Sequence, residues 1–188
     1  MLLLLLCTYL IHLSVGRPKH QKLLSSRSDQ AELYIGKKAE LNRGLLKLRY
    51  PIEHGIINHW GDMEAIWNYA YGEMKISQLE HPVLLTEPIL NPYANRERMA
   101  EIFFETYTAP AVFICSQALL SLYASGKATG VVLDCGDGVC QCASVYDGFM
   151  LNNTAHRIDM GGREVTEYLN ILLRKSGHIF STTVSSYI

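Results

Sequence analysis

Thr129-Gly-Val-Val-Leu-Asp134 runs straight into Cys135-Gly-Asp-Gly-Val139. An apolar strand bounded by glycine delivers a carboxylate at its carboxyl end, and two glycines follow in the turn. Glycine lets backbone approach a ligand closely, successive N–H groups in such a turn form an anion-binding concavity, and an Asp there can hold a hydrated Mg2+. The same spacing also serves an ordinary hairpin, so on its own it leaves phosphate binding and a plain turn both open.

Downstream, Val139 to Tyr146 reads as a strand, Asp147-Gly148 as a hairpin turn, and Phe149 to Ile158 as a further strand. Gly161-Gly162 opens a helix running to Lys175, with Val165, Leu169, Leu172 and Leu173 facing inward and Gly177 closing it. The free N–H groups and dipole at its start are expected to face the same phosphates as the glycine turn.

Upstream, strands and helices alternate. Glu32 to Ile35 and Leu45 to Tyr50 have partial strand alternation, Pro82 to Glu87 and Ala111 to Ile114 read as strands, and Ser116 to Ser125 is a short helix ended by Gly126. Asn95 is placed as the cap of a helix with Met99, Ile102 and Phe103 inward. From Gly61 to Met74 the residues Met63, Ile66, Trp67, Ala70, Tyr71 and Met74 fall on one helical face, with Asp62 and Glu64 in the first turn where the helix dipole favours them. That aromatic stripe reads as core. The alternation makes the chain α/β.

Composition narrows the classes. A chain of 188 residues that is 48% hydrophobic and 19% charged is globular, neither disordered nor collagen-like. Net charge is -1, but residues 1–50 carry nine Lys/Arg against three Asp/Glu. Those basic residues are scattered among Leu, Tyr and Gly, which fits solvated loops and strand faces better than a phosphate-binding stripe, so no nucleic-acid partner is expected. Five cysteines, three of them at 135, 140 and 142, fit neither a disulfide framework nor paired zinc-ligand spacing, and are read as reduced thiols, with Cys140 and Cys142 as small core residues on one side of a strand. The apolar run Met1 to Leu13 is of signal-peptide length but lacks a basic start and is too short to span a bilayer, so no membrane span is expected. Asn152-Asn153-Thr154 is a formal glycosylation triplet that matters only under secretion, a minority reading beside a cytoplasmic one. Gln21 to Gln30 reads as a polar loop.

Long words elsewhere carry a resemblance. Val15-Gly-Arg-Pro-Lys-His20, Arg49-Tyr-Pro-Ile-Glu-His-Gly55, His81-Pro-Val-Leu-Leu-Thr-Glu87, Ala94-Asn-Arg-Glu97, Phe103-Phe-Glu-Thr106, Ala118 to Gly126 and Asp134 to Val139 together resemble the actin family. Tyr34 to Glu40, Arg43 to Leu46, Ala100 to Glu105 and Leu173 to Gly177 lean toward its centractin-type, dynactin-associated members. The resemblance implies the actin-like ATPase fold shared with sugar kinases and heat-shock ATPases. It implies residues 15–126 as an outer-lobe region, 127–183 as the start of the inner lobe, and 1–14 and 184–188 as atypical ends. It further implies ATP or ADP with Mg2+ or Ca2+ between lobes, a cytoplasmic, cytoskeletal filament subunit, and partners among actin-type subunits and dynactin components.

Residue by residue, the resemblance makes Asp134 the metal-holding carboxylate and Cys135, Gly136, Asp137, Gly138 and Val139 the second phosphate loop. Gln117 corresponds to the residue orienting the attacking water, Gly162 and Arg163 to a nucleotide-contacting pair, and His54 to a histidine methylated in many actins near the phosphates. Tyr123, Ala124 and Gly126 would line a partner groove. The departures are specific. The family's first phosphate loop is not found near the start, Cys135 stands in place of a serine, and Gln141 replaces the proton-relay histidine. Because an amide can hydrogen-bond but cannot act as a general base at neutral pH, at most a weak ATPase is expected. Both ends read either as breaks in a gene model or as truncations.

Overall fold

A computed structural model describes residues 13–19 and 33–178. Residues 1–12, the loop expected over Gln21 to Gln30, and the tail from residue 179 lie outside the described residues. The chain divides into two compact units, one built from the chain up to Glu87 together with Asn91–Cys115, the other from Pro88–Leu90 and the chain from Ser116 onward.

In the first unit, β1 (Val15–Pro18) is flanked by antiparallel β2 (Tyr34–Ile35) and β3 (Leu46–Arg49), with Val15 paired to both Ile35 and Arg49. A five-residue helix, α1 (Lys37–Leu41), follows β2 and buries Ala39. It was not expected from the sequence, where two apolar positions, Ala39 and Leu41, in five residues are too few to set a period. Strands β4 (Ile52–Glu53) and β5 (Ile56–Ile57) form a tight hairpin through His54 and Gly55, both at positive φ, which is what a two-residue primed turn requires.

Helix α2 (Trp60–Met74) confirms its expected face. Met63, Ile66, Trp67 and Ala70 are buried, and Met63 and Trp67 join Ile57, Leu85, Met99, Ile102, Phe103 and Tyr107 in the main core of this unit. Leu85 comes from β6 (Val83–Glu87), and Met99 from α3 (Tyr93–Glu101). The cap expected at Asn95 is corrected. Pro92 takes the cap position with extended ψ of 136°, and its carbonyl accepts the N–H of Asn95 at 3.0 Å, so Asn95 lies inside the first turn. Strand β7 (Val112–Ser116) pairs with β6.

Asp62 does more than complement the helix dipole. Its carboxylate is 5% exposed and receives two hydrogen bonds from Arg17 of β1, with Arg49 of β3 at 3.7 Å, so it ties α2 to the sheet. The Arg17 guanidinium holds the Asp62 carboxyl below its ordinary range against the opposing effect of burial. A lowered carboxylate pKa contributes stability that is present above the unfolded-state value of about 4 and is lost as pH falls through the folded value. Because Arg17 is half exposed, Asp62→Asn is expected to cost about 1–2 kcal/mol at pH 7. The gap from the parent chain should close in urea-unfolding midpoints as pH falls through the lowered folded-state value of Asp62. A gap that stays constant with pH would show that the ion pair contributes nothing.

In the second unit, α4 (Gln117–Ala124) lies beside an antiparallel sheet. Strand β9 (Cys140–Tyr146) pairs along one edge with β8 (Gly130–Cys135), from Gly130↔Val145 to Cys135↔Cys140. Its other edge carries β10 (Phe149–Met150) and then β11 (His156–Ile158). The single strand expected over Phe149 to Ile158 is thus two. A short 3-10 turn at Asn152–Thr154 interrupts it, where the Thr154 hydroxyl donates to the Leu151 carbonyl at 2.8 Å and takes the Ser144 N–H at 3.3 Å. The asparagine of the glycosylation triplet is exposed in that turn.

Helix α5 (Gly162–Lys175) has the expected bounds, with Gly177 at φ 90° closing it. Its expected facing is corrected: among the described residues Val165, Leu169 and Leu172 are exposed and Leu173 is only half buried. The apolar strand β8 is likewise covered on one face only, with Val131 70% and Leu133 73% exposed. No described helix is long and apolar enough to cross a membrane.

Candidate functional site

The turn between β8 and β9 is held at three levels. Within it, the Gly136 N–H donates to the Val139 carbonyl at 2.9 Å. Against it, the start of α5 docks by backbone, Gly162 N–H donating to the Gly136 carbonyl at 3.0 Å and Arg163 N–H to the Asp137 carbonyl at 2.9 Å. Across the outside, Arg163 Nη2 donates to Asp137 Oδ2 at 2.8 Å in an exposed ion pair. Gly161 permits this approach, since a Cβ there would stand 2.4 Å from the Asp137 carbonyl oxygen. Its own N–H is capped by Glu164 Oε2 at 2.6 Å, a side chain reaching back from the third helical position.

This corrects the expectation for the helix start. The first N–H groups of α5 are not free for an anion, because the turn's carbonyls and Glu164 accept them. The first N–H groups of α5 therefore clamp the glycine turn in place.

Beneath the turn, three polar side chains from separate elements meet. Register sets Asp134 of β8 opposite Gln141 of β9, and Gln117 is the first residue of α4. Gln141, 1% exposed, donates from Nε2 to Asp134 Oδ2 at 2.9 Å and to Gln117 Oε1 at 3.2 Å, and accepts the Ile89 N–H on Oε1 at 2.8 Å. A buried amide costs least when both ends are paired, and here they are. Gln141 is therefore a positioning residue that fixes one oxygen of Asp134. The sequence missed the part of Ile89, which sits with Ala118 and Ala143 in this unit's small apolar cluster and whose carbonyl accepts from Arg157 at 3.4 Å.

The remaining expected site residues fall in other places. Val139 is buried under the turn, whereas Cys135 is exposed. Cys140 and Cys142 share a face but are half buried, not core, and none of the four described cysteines, buried Cys115 included, is in a disulfide. The hydrogen bond with Cys135, followed by burial, pushes the Cys140 thiol up. Tyr123, Ala124 and Gly126 lie at the far end of α4, where the Tyr123 hydroxyl donates to the Gly148 carbonyl at 2.9 Å and Gly126 has φ 75°. His54 is in the β4–β5 turn of the first unit. Among the described residues no cluster of three or more His, Cys, Asp or Glu is arranged to hold a metal ion by itself.

Comparison with known proteins decides the family. The model of the family described as Actin matches residues 8–184. The chain belongs to the actin family. A curated "Actin-like protein" of Neurospora crassa is 56% identical over 176 residues, which is 93% of this chain and 46% of that protein. The chain thus spans about half the length of this curated relative. The α/β class expected from the alternating elements is that of the actin fold, and the Asp134 to Val139 turn lies inside the matched region.

Proposed function

We propose that this actin-family chain is part of an actin-related cytoskeletal protein of the centractin type. It holds ATP or ADP with Mg2+ or Ca2+ at the β8–β9 turn and serves as a filament subunit. Its partners are actin-type subunits and dynactin components, and its place is the cytoplasmic cytoskeleton. The observation that carries the nucleotide reading is the convergence of Asp134, Gln141 and Gln117 directly beneath a glycine turn. The residues fit such a ligand. Gln141 fixes Asp134 Oδ2, so the carboxylate is oriented to hold a hydrated divalent cation through water. The metal would supply charge neutralisation at the phosphates, and Gln117 is the group suited to orient a water there. Without a general base at position 141, turnover is slow at best.

A second reading has its own support. The apolar positions of α5 and the outer face of β8 are exposed, which suits a chain that acts through protein contacts without nucleotide. Calorimetric titration of the 188-residue chain with Mg-ATP separates the two. The nucleotide reading expects micromolar binding that Asp134→Ala weakens at least about tenfold, the loss of about 1.4 kcal/mol or more. A folded chain that gives no heat, or an Asp134→Ala chain that binds equally well, would leave only the contact reading.

A further inference from the structure

The base of the same turn carries a pair of thiols that nucleotide binding does not use. Cys135 ends β8, Cys140 begins β9, and the two are register partners. The Gly136 to Val139 hydrogen bond closes the pair next to the turn, so by the alternation of an antiparallel ladder Cys135 and Cys140 are a non-hydrogen-bonded pair. In such a pair the Cα atoms stand about 4.5 Å apart with side chains on one face. That separation lies inside the range of about 4.4–6.8 Å that a disulfide spans. Cys135 is exposed and Cys140 is half buried, so a small oxidant reaches the pair from solvent. Cys142 is on the same face but pairs with Leu133 and His156, which puts it diagonal to Cys135 at about 7–8 Å, beyond easy bridging.

We propose that Cys135 and Cys140 form a redox modification site, closing a reversible disulfide across the base of the turn when the chain meets a peroxide. The Cys135 sulfur attacks one peroxide oxygen, the O–O bond breaks, and a sulfenic acid and one water result. The Cys140 sulfur then attacks the Cys135 sulfur. The S–S bond forms, the S–O bond breaks, and the leaving hydroxide takes the Cys140 proton as a second water. Two thiols are oxidised by two electrons, and one peroxide is reduced to two waters. The bond joins the neighbours of Asp134 and Gln141 without changing strand register.

The test is independent of whether nucleotide binds. The folded 188-residue chain is treated with hydrogen peroxide, alkylated, digested and mapped by mass spectrometry, with and without dithiothreitol. The expected result is the loss of two thiols per chain in a Cys135–Cys140 linked peptide, reversed by dithiothreitol and formed several-fold faster than in urea. Cys142→Ser should behave as the parent, and Cys140→Ser should leave a Cys135 sulfenic acid that a dimedone-type reagent traps. A Cys135–Cys142 bond, oxidation of Cys135 beyond sulfenic acid with Cys140 still free, no thiol loss, or equal rates folded and unfolded would each overturn the proposal.

Discussion

Trp67→Ala is expected to destabilise the first unit by about 3–5 kcal/mol, the range for deleting a fully buried large aromatic side chain. Trp67 is 1% exposed and packs edge-on against Phe103 at 4.8 Å between ring centroids and against Tyr107 at 6.4 Å, while Phe103 and Tyr107 pack on each other at 5.2 Å. Alanine would leave a cavity bordered by two rings that cannot collapse together, because the Tyr107 hydroxyl is tied to the Glu64 carbonyl at 3.1 Å. The indole N–H has no hydrogen-bond partner among the described residues, so it opposes folding instead of favouring it. Trp67→Phe is accordingly expected to recover most of the loss. Urea unfolding followed by circular dichroism measures both, and an alanine cost below about 1 kcal/mol would mean that this aromatic cluster is not the core of the unit.

Gly161→Ala is the second large effect. The residue's φ of -155° is ordinary extended backbone, so the penalty is purely steric. The new Cβ would stand 2.4–2.6 Å from the Asp137 and Gly136 carbonyl groups, and backbone on both sides cannot yield as a flexible side chain can. Separating α5 from the turn gives up the Gly162 and Arg163 N–H bonds, at about 0.5–1.5 kcal/mol each, before any strain is counted. A total of about 2–4 kcal/mol is expected in urea unfolding of the second unit, with faster amide exchange at Gly162 and Arg163. Gly177→Ala, where no neighbour lies within 4 Å, serves as a control whose cost is that of positive φ alone, about 1 kcal/mol. Equal costs at the two glycines would show that α5 is not docked on the turn.

These two sites mark what was and was not readable in the residues. The face of α2 was legible because six apolar positions keep helical period over three turns, and the hairpin at Asp134 to Val139 because its glycines interrupt two apolar runs. Once that hairpin is read, Asp134 must oppose Gln141, so two-thirds of the polar trio follows from counting. Gln117 and Ile89 do not, since their approach depends on tertiary packing that no local pattern encodes. Helix α5 illustrates the converse: Val165, Leu169 and Leu172 have the spacing of a buried face, and its bounds follow from its glycines, yet the face is exposed among the described residues. Periodicity reports that a face is apolar, not what covers it. The β4–β5 turn went unread for a different reason, because a positive φ at His54 is tolerated by few residue types and His-Gly is a weak turn signal beside Asn-Gly.

If the β8–β9 turn, oriented from below by Gln141 and clamped from the side by α5, holds the nucleotide phosphates as proposed, Mg-ATP must slow amide exchange there. Hydrogen–deuterium exchange of the 188-residue chain with and without saturating Mg-ATP locates any such binding. Slowed exchange is expected in the peptides covering residues 134–141 and 161–165, and is expected to be absent in Asp134→Ala. Protection confined to other segments, or unchanged exchange at the turn while calorimetry records binding, would contradict it.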